Sequence, residues 1–265
     1  MTDVGTIERI SEPSAVEFRT RYVRPGRPVI ITGAMESWPA RQKWSLDYFR
    51  TQFDQRTLPV ARVIDRKVEF GDSGFAFDEG AGFGGFLDRL LEGERLGVPA
   101  DGYVTVNPVE HLPELLADLP LPGFRPEAPW SLRGFWLSGR DVRTPLHMDL
   151  PDNLFAQIVG RKQVTLFAPR NEPWMYRSPP WSSRPQISRV DAEHPDYERF
   201  PRFRNAREIR VVLEPGELLY LPRYWWHQMR SLDTSVSANE WWATGLSYLV
   251  VRLGLLFRHA RKLRY

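Results

Sequence analysis

Apolar and polar positions along this chain fall into two rhythms. Near the N-terminus the period is helical. Ser14-Ala-Val-Glu17 has the form of a capping box and predicts a short helix through Tyr22, stopped by Arg24-Pro-Gly-Arg-Pro28. Ser45 predicts a second cap, before a helix that carries Leu46, Phe49 and Phe53 on one side. Between them Val29-Ile-Ile-Thr32 is a solid apolar block ended by Gly33, the pattern of a buried strand. Leu58–Val63 and Lys67–Phe70 predict further strands, and Phe86–Leu91 and Pro113–Leu119 predict short helices. The glycine-rich run Asp78–Gly85 lacks the Gly-Lys-Ser/Thr of a phosphate loop, so a turn is expected there.

From Tyr103 onward the period is that of strands. Tyr103–Val106, Leu132–Leu137, the stretch from Asn153 to Pro169 with a turn at Gly160, Val211–Leu213, Glu217–Leu221 and Ser235–Trp242 all fit. The Pro-rich stretch 119–129 is a connection, and 170–209 is a long polar insertion of the kind that usually has a functional use. A last helix is predicted from Ala243 to Tyr265. Leu246, Leu249, Val250, Leu253, Leu256 and Phe257 stand at helical spacing there, ahead of a basic end that suits a helix C-terminus. Arg252 breaks the apolar run, so no membrane span is expected.

Composition narrows the class. The 265 residues, 42% hydrophobic and 13% aromatic, are enough for one β-rich domain with an aromatic core. A net charge of +3 is too small to point to nucleic acid. There is no cysteine, hence no disulfide framework and no thiolate chemistry. The first residues show no basic-then-apolar leader pattern, and a cytoplasmic protein is expected.

The candidate chemistry lies in Thr144-Pro-Leu-His147-Met-Asp149 and in Tyr224-Trp-Trp-His227. Residues two apart on a strand share a face, so His147 and Asp149 aim an imidazole and a carboxylate at one point. With His227 they make the two-histidine, one-carboxylate set that holds non-haem Fe(II) and leaves positions open. Lys162, at the turn between two apolar strands, can pair with a carboxylate of a dicarboxylic acid such as 2-oxoglutarate. His111, His194 and His259 sit in capping or solvated contexts and are not expected to be ligands.

The run from Thr144 to Pro169 resembles the JmjC/cupin-like 2-oxoglutarate- and Fe(II)-dependent oxygenases, above all the hypoxia-inducible-factor asparaginyl hydroxylases. Pro195–Pro201, Pro215–His227 and Asn239-Glu-Trp241 carry the same resemblance, in the same order. It implies a mainly β fold. A double-stranded β-helix (jelly-roll or cupin) core at 101–242 would be flanked by N-terminal helices and strands at 1–100 and by a C-terminal helix at 243–265. It implies His147, Asp149 and His227 as metal ligands and catalytic residues. Tyr103, Thr144, Asn153, Lys162 and Asn239 would be the residues around the cosubstrate. Fe(II), 2-oxoglutarate and O₂ are the implied cofactor and cosubstrates, and oxidative decarboxylation of 2-oxoglutarate coupled to hydroxylation is the implied reaction. Trp225, Trp226 and Trp241 are expected to pack around the ligands and keep them rigid.

One position departs from the resembled hydroxylase. An Arg-Gln pair that grips its target is replaced by Gln186-Ile187, which puts asparagine as the target in question. The substrate expected is therefore a protein or peptide side chain. Hydroxylation or N-demethylation of a small molecule is a second reading, and a metal-binding cupin without turnover a third. The resemblance, with the apolar stripe of the last helix, also implies a homodimer through that helix.

Overall fold

The computed structural model describes residues 6–71, 74–78, 82–100, 102–182 and 184–262. Two sheets dominate it. In chain order their strands are β1 (Arg9–Ser11), β2 (Val29–Thr32), β3 (Val60–Ala61), β4 (Phe77–Asp78), β5 (Tyr103–Val106), β6 (Trp130–Ser138), β7 (His147–Met148), β8 (Asp152–Val159), β9 (Lys162–Phe167), β10 (Glu208–Leu213), β11 (Leu218–Leu221), β12 (Trp226–Ser231) and β13 (Ser235–Ala243). The large sheet runs β1-β2-β11-β8-β13-β6-β5-β3-β4, and the small one runs β7-β12-β9-β10. Apart from the parallel β1–β2 pair, the neighbours are antiparallel. The two sheets face each other, and from β6 to β13 consecutive strands change sheet except between β9 and β10, giving a jelly roll.

Strand parity gives the large sheet two different faces. Leu154, Ala156, Ala238, Trp242, Phe135 and Leu137 point outward into an apolar core. Phe18, Trp44, Phe49, Phe83 and Phe86 from the N-terminal helices complete that core. The intervening residues of the same strands point inward, where Phe155 and Leu219 meet Val164, Leu166 and Met229 of the small sheet. A wholly apolar run such as Val29–Ile31 is apolar because it is covered on both sides.

The helices are α1 (Ala15–Phe18), α2 (Pro39–Lys43), α3 (Leu46–Phe53), α4 (Phe83–Leu96), α5 (Pro108–His111) and α6 (Gly245–Lys262). The two predicted caps form: Ser14 accepts from Glu17 N at 3.2 Å, and Ser45 accepts from Tyr48 N at 3.0 Å. The chain beyond α1 loosens into a π-helical turn, Arg19–Val23, which ends one residue past the predicted Tyr22. The predicted helix at 113–119 is a 3-10 turn, Pro113–Asp118.

The predicted helix at 86–91 is longer at both ends. It starts at Phe83, where the glycine run suggested a turn, because a Cβ on Gly84 would stand 2.8 Å from the Asp54 carbonyl oxygen. The glycine there lets α4 lie directly on the end of α3 and bury Phe83 and Phe86. Residues 79–81 of the glycine-rich run lie outside the described residues. Leu58–Val63 yields only the two-residue strand β3 and the start of a small hairpin, Val63–Ile64 with Lys67–Val68. α6 begins at Gly245 rather than Ala243, since Ala243 still pairs with Trp130 in the large sheet.

Candidate metal centre

β7 lies antiparallel to β12 in a register that sets His147 directly opposite His227. Directly opposed residues share a face, so both imidazoles enter the space between the sheets, 4.1 Å apart between ring centroids. Asp149 follows β7 at the mouth of the roll, with Oδ2 3.9 Å from His227 Nε2. One ligand atom from each of His147, Asp149 and His227 lies within 4.8 Å of the others. It is the only such cluster among the described residues.

The backbone fixes how the rings present themselves. His147 Nδ1 is 2.8 Å from the Pro145 carbonyl oxygen, and His227 Nδ1 is 3.1 Å from that of Trp225. Each Nδ1–H donates to its carbonyl, which leaves Nε2 with a lone pair facing the cluster. Burial, reinforced by the adjacent His147, pushes the His227 pKa down to about 4. The ring is therefore neutral at physiological pH, as a metal ligand must be. Two imidazoles and a carboxylate are a donor set suited to Fe(II).

Asp149 is held from behind. Trp241 Nε1 donates to Asp149 Oδ2 at 2.7 Å, and Asn153 Nδ2 stands at 3.5 Å from the same oxygen. Asn239 Nδ2 donates to Asn153 Oδ1 at 2.9 Å, and Trp136 Nε1 donates to Asn239 Oδ1 at 2.6 Å. The resemblance implies Asn153 and Asn239 beside the metal and cosubstrate; the structure links them to one another and to the rear of Asp149. Strand register brings these residues together: Asn153 faces Trp241 across β8–β13, and Asn239 faces Gly134 across β6–β13. A Cβ on Gly134 would lie 2.3 Å from Asn239 Oδ1, so only glycine leaves that amide its place.

Deeper in the roll is Lys162, 2% exposed. Its Nζ crosses to the large sheet, donating to Ser237 Oγ at 3.0 Å, and stands 5.3 Å from the centre of the Phe155 ring. Ser237 in turn donates to Gln157 Oε1 at 2.8 Å. Among the described residues no carboxylate forms an ion pair with Lys162, and burial pushes its pKa down to about 7. A buried cation without a counter-ion is costly, and an anionic ligand removes that cost.

Lys162 pairs with Ser231 and Leu166 pairs with His227, so Lys162 and His227 share a face, four residues apart along β12. At 3.3 Å per residue that is roughly 13 Å of strand, a span that the long lysine side chain shortens. Thr144 lies between them. Its amide donates to Met229 O at 2.9 Å, and its hydroxyl accepts from Met229 N at 3.0 Å, leaving the hydroxyl proton available to donate. Tyr103 is buried on β5 against Trp136, 5.9 Å between rings, and burial raises its pKa.

The insertion supplies a further wall. Ser188 N donates to Leu146 O at 2.8 Å and Met148 N to Gln186 O at 3.0 Å, so residues 186–188 extend the small sheet beyond β7. Ile187 bridges to His147. His194, in a turn of the same insertion, has Nδ1 2.6 Å from Arg143 Nη1 and lies outside the cluster. The residues that sequence reasoning missed are Trp136 and Gln157 and, as a hydrogen-bond donor rather than packing, Trp241. Parity held the signal: Trp241 is two positions after Asn239, and Gln157 is opposite Ser237.

Residues 15–247 match the cupin-like domain family, and the chain belongs to it. Among curated proteins it is 34% identical over 251 residues to lysine-specific demethylase 8 of Danio rerio, covering 89% of this chain and 58% of that protein. It is 32% identical over 248 residues to lysine-specific demethylase 8 of Xenopus tropicalis, covering 89% of this chain and 53% of that protein. The chain thus spans about half the length of these relatives. It is 29% identical over 263 residues to the human bifunctional peptidase and (3S)-lysyl hydroxylase JMJD7, covering 87% of this chain and 81% of that protein.

Proposed function

We propose that this member of the cupin-like domain family is an Fe(II)- and 2-oxoglutarate-dependent oxygenase that hydroxylates a side chain of a protein or peptide. The observation that carries the reading is the pairing of two features inside one roll. One is a two-histidine, one-carboxylate cluster at the mouth, and the other is the buried, uncompensated Lys162 on the same inner face. His147 Nε2, Asp149 and His227 Nε2 would hold the metal, and the Pro145 and Trp225 carbonyls would keep both imidazoles in the ligating tautomer.

Lys162 would take the far carboxylate of 2-oxoglutarate, with the Thr144 hydroxyl proton directed to the same group. Iron held by these residues would supply activation of O₂ coupled to decarboxylation of 2-oxoglutarate. The protein's share is orientation and exclusion of water. Trp241, Asn153, Asn239 and Trp136 keep Asp149 from swinging, and the apolar residues between the sheets keep the pocket dry. Two relatives are named for acting on lysine, as demethylase and as lysyl hydroxylase, which favours a polypeptide target. So does Trp181, 79% exposed in the insertion that runs along β7.

The test is succinate formation from 2-oxoglutarate with added Fe(II), followed by mass spectrometry of a peptide library for hydroxylated products. His147→Ala should abolish turnover. Lys162→Ala should weaken 2-oxoglutarate binding by roughly 2–4 kcal/mol, the worth of a buried charged partner. Unchanged affinity in calorimetry rejects the lysine's role, and full turnover by His147→Ala rejects the metal set.

We further propose that α6 forms a homodimer. Leu246, Leu249, Val250 and Leu253 are exposed, whereas Ser247 and Val251 on the opposite side of the helix are buried. A two-fold partner presenting the same stripe would cover it. Light scattering should give twice the 30.9 kDa chain mass. Leu249→Arg with Leu253→Glu should give the single mass, and a wild type that runs as a monomer at micromolar concentration rejects the dimer.

A further inference from the structure

Beside the metal centre the chain encloses an open cleft of about 410 Å³. Its walls are the N-terminal turn Val23–Gly26, residues Ala168–Arg170 after β9, and Arg223–Trp225 before β12, with Asp152 among the lining residues. The lining carries three guanidinium groups, Arg24, Arg170 and Arg223, against one carboxylate. That carboxylate is fully engaged. Asp152 is buried and accepts from Tyr220 Oη at 2.8 Å, from Arg223 N at 3.2 Å and from Arg223 Nη1 at 3.3 Å. Arg24 and Arg170 are exposed, and neither forms an ion pair with a described residue. The cleft is therefore cationic, with two forked donors unengaged.

Its position ties it to the reaction. Tyr224 N donates to Asp149 O at 2.8 Å, and the Trp225 carbonyl that orients His227 belongs to the same wall. Trp225 Nε1 donates to Gly26 O at 3.0 Å, which fixes the opposite wall to this one. Tyr224 is held at φ 67°, an uncommon conformation for tyrosine that such anchoring maintains. Trp225 precedes His227 by two residues, roughly 7 Å of extended chain, so one wall of the cleft is continuous with the segment that carries a residue of the metal cluster. A volume of this size admits side chains with their backbone rather than a single ion.

We propose that this cleft binds an acidic stretch of the protein substrate, Asp or Glu residues flanking the target side chain, through Arg24 and Arg170. The inference rests on the protein-hydroxylase reading and deepens it. Guanidinium forks match carboxylates in pairs, and Arg223 already reaches the carboxylate of the lining, Asp152, with Nη1 at 3.3 Å.

The probe is a fluorescein-labelled hexaglutamate peptide, followed by anisotropy on the full chain at low ionic strength, with hexalysine as the control. Wild type should bind hexaglutamate and not hexalysine. Arg24→Gln with Arg170→Gln should weaken binding about tenfold or more, and Arg24→Lys with Arg170→Lys should restore most of it, because the charge returns without the fork. An unchanged thermal midpoint shows that the glutamine variant is folded. Equal binding by wild type and the glutamine variant overturns the proposal. Displacement of the peptide by inorganic phosphate at equal charge concentration also overturns it, in favour of a free-anion site. Succinate formation by the wild type is measured on the same preparation. Succinate without arginine-dependent peptide binding removes the cleft proposal alone. Arginine-dependent binding without succinate removes the hydroxylase reading, and the cleft's substrate role with it.

Discussion

The two faces of the large sheet are made by the same strands and have opposite compositions. On the outer face Phe135 lies against Trp44 and Phe49, with ring centres at 5.8 and 5.4 Å, and its neighbours are apolar. On the inner face the adjacent residues are Gly134 and Trp136, followed across the sheet by Asn239, Ser237, Asn153 and Gln157. Both faces are buried. The outer face is held by area and shape, at about 25 cal/mol per Å² of apolar surface. The inner face contains two asparagines and a glutamine and is met by Lys162 from the small sheet; these groups gain little by leaving water and must find partners. A fold stabilised by one face can carry a costly arrangement on the other, and this division lets the site keep an uncompensated charge.

The largest effect expected from breaking the comparison is on the outer face. Phe135→Ala should cost about 3–5 kcal/mol of unfolding free energy, because the cavity is surrounded by rings that cannot collapse into it. Denaturant unfolding would measure this, and a loss under about 1 kcal/mol would mean that this core is not closely packed.

The inner face should respond in the opposite direction. Lys162→Met should stabilise the fold by about 1–4 kcal/mol near neutral pH while removing 2-oxoglutarate binding, since an uncompensated buried charge is exchanged for an apolar chain of similar size. The sign with pH follows from the lysine's pKa, about 7 in the folded chain against an ordinary 10.5. Between those values the unfolded chain holds a proton that the folded chain has released. Stability therefore rises with pH through this window and is flat below it, where both states are protonated. Wild-type unfolding curves at pH 7 and 9 should differ accordingly, and Lys162→Met should flatten the difference. An equal slope in the variant would assign the pH dependence to another group.

The smallest effect sharpens the boundary between structure and chemistry. Trp241→Phe removes the 2.7 Å bond to Asp149 but keeps an aromatic, if smaller, ring. It should cost only about 1 kcal/mol in stability. Fe(II) affinity should fall roughly 10–100-fold, as when a ligand loses the partner that orients it. Titration with Fe(II) under anaerobic conditions reads this out, and unchanged affinity would make Trp241 packing alone.

The sequence was sufficient wherever a local rule dominated. The caps at Ser14 and Ser45, the buried triplet Leu46, Phe49 and Phe53, and the strands after Tyr103 other than β7 and β12 follow from propensity and period, which act over a few residues. The motifs likewise singled out His147, Asp149 and His227, which the structure brings together, and marked Lys162 as unusual. Tertiary structure decided what no local pattern encodes. It turned the glycine run before Phe86 into the start of α4, because the end of α3 needed a surface without a Cβ. It drew Asn153, Asn239, Trp136 and Trp241 into one chain behind Asp149, because the register of β6, β13 and β8 sets residues far apart in sequence side by side. It also left Lys162 without a protein carboxylate and Arg24 and Arg170 facing one cleft, because burial and charge pairing depend on every element that reaches a point in space.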